Sequence, residues 1–178
     1  MSKTFFISDT HFGHANVIRF DKRPFADVDQ MNEEMIARWN KVVGPDDTIY
    51  HLGDFSFLPA EKTLAVLRRL NGQKHLIYGN HDQIIRKNHK LQREFVSVSE
   101  YKEITVAGNF FCLFHFPIGE WNKAHRGAYH LHGHCHGNYV YPRPGKNMDV
   151  GAPCVGYTPI EAAAVIARLK NAPDLQHH

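Results

Sequence analysis

The chain has 178 residues, of which 43% are apolar, with 13 glycines and 9 prolines. Such a composition suits one globular domain over 1–178 and excludes a disordered, collagen-like or coiled-coil chain. Lysine and arginine number 21 against 18 acidic residues, and the resulting net charge of +3 selects no partner by itself.

From Thr4 to Ser8 a short apolar run bounded by polar residues reads as a buried strand. Asp27 and Gln30 resemble a capping box, and Met31, Met35, Trp39 and Val42 recur at helical spacing, so a helix is expected from Val28 to Val43, stopped by Gly44-Pro45. A second strand at Thr48 to Leu52, a helix at Ala60 to Leu70 and a third strand at His75 to Tyr78 follow. This alternation implies right-handed crossovers and a parallel section of sheet. Tyr101 to Val106 and Asn109 to Phe114 read as a hairpin joined at Gly108-Asn109, which makes the sheet arrangement mixed. A strand around Ala128 to Leu131 precedes a glycine-rich stretch, and Thr158-Pro159-Ile160-Glu161 has the chemistry of a helix start, with the closing helix running to Lys170.

Cys112, Cys135 and Cys154 form no CxxC pair, and three cysteines suit reduced thiols in a reducing compartment. No apolar run reaches the roughly 20 residues of a membrane span, and Met1-Ser2-Lys3-Thr4 does not open a signal peptide. The expectation is a cytoplasmic protein with no membrane partner. Histidine is the outlier at 14, and twelve remain when His177 and His178 are set aside as resembling a tag remnant.

Five polar clusters each follow an apolar run directly: Asp9-Thr10-His11, Gly53-Asp54, Gly79-Asn80-His81-Asp82, His115, and Gly133-His134-Cys135-His136. In open α/β sheets, residues just past the carboxyl ends of neighbouring strands converge on one crevice. Asp9 with His11, and His134 with His136, are two positions apart, which in extended backbone aims both side chains the same way. Carboxylates, an amide carbonyl and imidazoles suit manganese, iron, zinc or nickel, with manganese placed first here, and seven such residues fit two ions rather than one. Gly53, Gly79 and Gly133 are expected where the chain turns sharply towards an ion.

These blocks, DxH, GD, GNH(D/E), a lone histidine and GHxH, occur in order over residues 9 to 136, and in this the chain resembles the calcineurin-like metallophosphoesterase superfamily. The resemblance implies an α/β fold, a four-layer αββα sandwich with two mixed β-sheets flanked by helices. It also implies two divalent metal ions, with Asp9, His11, Asp54 and His136 on one and Asp54, Asn80, His115 and His134 on the other, Asp54 being the bridge. His81 would not ligate but would give a proton to the departing oxygen. Gly53-Asp54-Phe55-Ser56-Phe57 lacks the GDxxDRG continuation of protein serine/threonine phosphatases, which disfavours a phosphoprotein substrate, and Phe114-His115-Phe116-Pro117 lacks the glycine before the histidine.

The expected function is hydrolysis of phosphodiesters or phosphomonoesters, small and nucleotide-like, by a hydroxide bridging the ions, whose pKa falls from that of bulk water to roughly 7. A nuclease on polymeric nucleic acid and an inert scaffold of the same fold are the alternatives. His14 and Arg126 are the candidates for binding substrate phosphate, with surface or packing roles as the competing readings, as for His125. His51 and His75 read as core or edge histidines and His89 as solvated, while His130 and His132 would either support the site or be structural. Asp82 either orients His81 or forms a turn. The basic run Arg86, Lys87, Lys90 and Arg93 could follow a nucleic-acid backbone or be ordinary helix-surface charge.

Overall fold

A computed structural model describes residues 2–175, so His177 and His178 lie outside the described residues. Strand β1 (Thr4–Ile7) is followed by helices α1 (Ala15–Phe20) and α2 (Val28–Val42), strand β2 (Thr48–His51), helix α3 (Ala60–Arg69) and strand β3 (Gln73–Ile77). Two single-turn helices, α4 (Gln83–Arg86) and α5 (His89–Gln92), lead to strands β4 (Ser97–Ser99), β5 (Tyr101–Val106), β6 (Asn109–Phe114), β7 (Tyr129–His132), β8 (Asn147–Asp149) and β9 (Ile160–Glu161), and helix α6 (Ala162–Leu169) closes the chain. Among the described residues no helix is long and apolar enough to cross a membrane.

The first sheet has the order β4-β3-β2-β1-β9, and the second β5-β6-β7-β8. In the first, β1, β2, β3 and β4 are parallel and β9 is antiparallel to β1; in the second, β6, β7 and β8 are parallel and β5 is antiparallel to β6. Both sheets are therefore mixed, and the α/β class with two mixed sheets and helices is the one observed.

Apolar residues on alternate positions build two cores. Phe5, Ile7, Ile49 and Leu76 face α2 and α3, whose Met31, Met35, Trp39, Leu64 and Leu67 are buried against them. Phe6, Leu52 and Ile77 point the other way and meet Phe111, Leu113, Tyr129 and Leu131 of the second sheet, with α6 closing this layer through Ala162 and Val165. The outer face of the second sheet has a thin cover: Trp121, Ala124 of the 3-10 turn Ala124–Arg126, and Leu175 pack over Cys112.

Local departures from the sequence reading have physical causes. The hairpin turn is Ala107-Gly108, not Gly108-Asn109, because Val106 pairs with Asn109 and the two residues between have φ of 48° and 77°, as a type I′ turn requires. The helix start expected at Thr158 is deferred: Phe6 and Phe5 of β1 capture Ile160 and Glu161 as a two-residue strand, and α6 begins only at Ala162. Asp27 caps α2 as expected, its Oδ1 accepting the Gln30 N–H at 2.8 Å.

Candidate metal centre

The carboxyl ends of β1, β2 and β3 deliver Asp9, Asp54 and Asn80, and those of β6 and β7 deliver His115, His134 and His136. Parallel pairing puts these ends on one edge of the sandwich. The segments after β1 and β2 run side by side, the N–H groups of Asp9, His11 and Phe12 donating to the carbonyls of Gly53, Asp54 and Phe55.

Two carboxylates organise the centre in the same manner. Asp9 Oδ2 accepts the His134 N–H at 3.0 Å, and Asp54 Oδ1 accepts the His81 N–H at 2.8 Å. The second oxygen of each faces imidazole nitrogens: Asp9 Oδ1 lies 3.7 Å from His11 Nε2 and 3.4 Å from His136 Nε2. Asp54 Oδ2 lies 3.9 Å from His11 Nε2 and 3.6 Å from His115 Nε2, between the two groups. Asp9 Oδ1 and both ring nitrogens of His11 are buried with no hydrogen-bond partner. Asp9 is enclosed, which opposes its charge, yet His11 and His136 hold its carboxyl well below the ordinary range.

His115 donates Nδ1–H to the Leu52 carbonyl at 2.7 Å, which in the neutral ring leaves Nε2 as a bare lone pair. That nitrogen faces Asn80 Oδ1 at 3.0 Å, and His134 Nδ1 approaches the same oxygen at 3.0 Å. Two acceptors so close require a proton or a cation between them.

Asp9, His11 and His136 form one group and Asp54, His115 and His134 another, each with ligand atoms within 4.8 Å of one another. Donors held about 2.0–2.2 Å from a single ion lie roughly 3–4.2 Å apart, the range of the separations above. The orphaned atoms, the spacing of the donors and their oxygen and nitrogen chemistry fit two divalent ions, one at each group.

The backbone is strained at the same place. Asp9, His11, Asp54, His134 and His136 all have positive φ, between 49° and 69°. Each such residue costs about 1–3 kcal/mol and persists only where its surroundings hold it. Gly53, at φ 95°, makes the turn expected of it, whereas Gly133 is needed for closeness: a Cβ there would stand 2.0 Å from Ser8 Oγ and 2.2 Å from Asp9 Oδ2.

Several supporting residues were not visible in the sequence. Asp21 Oδ2 accepts Nδ1–H of His136 at 2.7 Å, leaving Nε2 to face Asp9. Burial disfavours the His136 charge, but Asp21 and Asp9 overcome it and push its pKa up to about 10. Buried Arg23 donates to Asp21 Oδ2 at 3.0 Å and to the carbonyls of Asp9 and Thr10 at 2.9 and 3.0 Å, clamping the strained loop. Asp149 accepts the Gly137 and Gly151 N–H groups at 2.8 and 2.7 Å and fixes the far end of the His134 to His136 loop. The signal that could have drawn attention to Asp21 is the need of a ligating histidine for an acceptor on its other nitrogen.

His81 belongs to neither ligand group; it is exposed beside them, its ring 6.1 Å from that of His11. Asp82 does not orient it. Its buried carboxylate accepts the N–H groups of Asp54, Phe55 and Gly79 at 2.9, 2.9 and 2.8 Å, tying the ends of β2 and β3 together. His14 caps α1, accepting the Val17 N–H at 2.8 Å, and its ring is 5.8 Å from that of His11, at the rim of the centre. Arg126 is exposed in the turn at the amino end of β7, whereas the ligand groups gather at the carboxyl ends, so the structure does not bring it to them.

His51 is buried, its pKa lowered to about 3 by that burial, and pairs with Thr10. His130 accepts from Ile118 N–H and faces the Cys112 carbonyl, and His132 pairs with Tyr141 and the Gly133 carbonyl, so both are structural. In the basic run Arg86 pairs with Glu100 and Lys90 with Glu61.

Replacing Asp82 with alanine strands three buried donors, and the expected loss is about 3 kcal/mol in urea unfolding of chelator-treated protein. A loss below about 1 kcal/mol would contradict that tying role. Asp21→Asn is expected to weaken Mn²⁺ binding at one of two sites by about 10- to 100-fold in calorimetric titration, and equal affinities in variant and parent would remove Asp21 from the centre.

Comparison with known proteins agrees with this geometry. The profile of the calcineurin-like phosphoesterase superfamily domain matches residues 3–152. An uncharacterised protein of Methanocaldococcus jannaschii is 34% identical over 173 residues, covering 93% of this chain and 90% of the relative. The gene 66 protein of Mycobacterium phage L5 is 30% identical over 170 residues, covering 80% and 82%. The solved structure of a protein of unknown function from Aquifex aeolicus superposes with a TM-score of 0.71 at 26% identity, covering 94% of this chain and 100% of its own. With its strand-end ligand groups and the match over most of its length, the chain belongs to the calcineurin-like phosphoesterase superfamily.

Proposed function

We propose that this protein is a dinuclear-metal-dependent phosphoesterase acting on phosphodiesters or phosphomonoesters, with small nucleotide-like esters as substrates. The observation that carries the reading is the placement of Asp9 Oδ1 and Asp54 Oδ2, unpaired by any backbone donor, opposite the nitrogens of His11, His115 and His136.

Asp9, His11, Asp54 and His136 would hold one ion and Asp54, Asn80, His115 and His134 the other. Manganese is our first choice among manganese, iron, zinc and nickel, since the set has no thiolate. Bound there, two divalent ions supply Lewis acidity for the phosphoryl oxygens and a water acidic enough to act as nucleophile near neutral pH.

The residues of the chain do the rest. Asp9 and Asp54 bring only two negative charges and the imidazoles and Asn80 none, so the loaded centre stays cationic and attracts a phosphate ester. Asp21 and Arg23 hold His136 and the Asp9 loop in position and exchange no proton with substrate. His81, on the rim with its backbone N–H fixed by Asp54, donates a proton to the ester oxygen as its bond to phosphorus breaks. His14 lines the same rim and can contact a phosphate oxygen through the nitrogen not used to cap α1.

The small-ester reading is favoured over the polymer nuclease because Arg86 and Lys90 are engaged by Glu100 and Glu61 and do not form a free cationic track. The free thiols of Cys112, Cys135 and Cys154 accord with the cytoplasm as its place of action. An inert scaffold would have no use for an exposed histidine beside two clustered ligand groups.

The test is hydrolysis of bis-nitrophenyl and mono-nitrophenyl phosphate by metal-loaded and chelator-treated protein. Activity on at least one ester, abolished by chelator and restored by Mn²⁺, is expected; bound metal without turnover would favour the scaffold. In His81→Ala, unchanged metal content and a rate loss of about 10²- to 10⁴-fold are expected with an alkyl leaving group, and a much smaller loss with nitrophenolate. Equal losses on the two esters would exclude proton donation by His81.

A further inference from the structure

The rim of the centre carries aromatic surface that the reading above does not use. Phe57 follows the Asp54 segment and is 40% exposed, although its ring sits among three site histidines. It stacks on His11 at 5.2 Å and 22°, meets His14 edge to face at 4.2 Å, and lies 5.0 Å from His81. Phe20, 64% exposed, lies 6.4 Å from His14 on the outer side, with the Arg19 guanidinium 5.4 Å from its ring. Phe57 and Phe20 thus each lie against His14, so that three rings follow one another along the rim.

Filling the space beside His11 and His14 would need only an aliphatic side chain, which would expose less flat surface. What a phenyl ring adds is a π-face at the mouth of an otherwise polar centre, the feature on which a nucleobase stacks irrespective of its sequence. On the opposite flank Phe116 approaches His134 at 4.6 Å and His115 at 4.9 Å, so a diester held between the ligand groups would have an aromatic ring near each of its two arms.

Resting on the phosphoesterase reading, we propose that Phe57 is the stacking platform for the base of the leaving nucleoside, and that the substrates are nucleoside phosphodiesters. The assignment to the leaving arm follows from His81, since the group placed to protonate the departing oxygen is also the one adjoining Phe57. Phe20 and Arg19 extend the row of rings outward, where a neighbouring base or phosphate would lie in a longer strand. Free dinucleotides and single-stranded nucleic acid share this chemistry.

The experiment compares kcat/KM for a thymidine dinucleotide with two analogues, each lacking one base, using Mn²⁺-loaded wild type and Phe57→Leu. In the wild type, removing the leaving-side base is expected to lower kcat/KM by roughly 5- to 150-fold, equivalent to about 1–3 kcal/mol. In Phe57→Leu that ratio should fall towards one, while the effect of removing the other base persists. The ratio is read within each protein, so a general loss of activity in the variant does not mimic the result. Binding of a non-hydrolysable phosphorothioate dinucleotide gives the same comparison without turnover.

Equal rates on all three esters in the wild type, or a base preference that survives in Phe57→Leu, would overturn the proposal and leave the phosphoesterase reading intact. Failure to hydrolyse any of them, with nitrophenyl esters still cleaved, would overturn the nucleoside assignment alone; inactivity on every ester would overturn both. Faster cleavage of a short single strand than of the dinucleotide assigns the source to polymer and the reverse to free dinucleotide, and either result is consistent with stacking on Phe57.

Discussion

The structure turns on how two aspartates divide their oxygens. Asp9 and Asp54 each commit one oxygen to a backbone N–H from a distant segment, of His134 and His81 respectively, and leave the other opposite imidazole nitrogens. The committed oxygen of Asp9 joins the two sheets at the edge where their parallel strands end, and that of Asp54 ties the ends of β2 and β3 within the first sheet. The remaining oxygens concentrate negative charge in a place that excludes water, and burying a carboxylate without a counter-charge is costly. A cationic centre is the condition under which this arrangement is favourable.

The rest of the local architecture holds that division in place. Asp82 gathers three N–H groups and locks the ends of β2 and β3; Arg23 grips the carbonyls of Asp9 and Thr10; Asp149 anchors the loop bearing His134 and His136. These contacts oppose the tendency of Asp9, His11, Asp54, His134 and His136 to leave the left-handed region. Left-handed backbone is spent here on re-aiming side chains from strands that would otherwise alternate them between faces. Two-residue spacing in extended backbone does not describe either pair: these residues lie beyond the strands with positive φ, and while Asp9 and His11 share a ligand group, His134 and His136 fall in different ones.

What could be read from the chain was the part encoded locally. The apolar runs before Asp9, Asp54, Asn80 and His134 mark strands whose ends coincide, and the alternation of strand and helix fixes the parallel pairing that makes them coincide. Contacts between segments far apart in sequence were hidden. Asp21 meets His136 across 115 positions, and nothing local distinguishes it from the other acidic residues. Arg126 is a different case: it directly precedes the strand expected from Ala128, so its place at the amino end, away from the ligand groups, follows from sequence order. The short strand β9 escaped because Thr158-Pro159-Ile160-Glu161 carries helix-start chemistry, and only pairing with β1 overrides it.

The most direct test of the paired-ion centre is metal stoichiometry in wild type and Asp54→Asn after equilibrium dialysis against Mn²⁺. Asparagine keeps an oxygen to accept the His81 N–H but removes the charge that the proposed bridge needs, so the variant separates the ligand role of Asp54 from its structural one. Two tightly held ions per wild-type chain and no more than one in the variant are expected. Two ions of unchanged affinity in Asp54→Asn, or none in the wild type, would contradict the paired-ion centre.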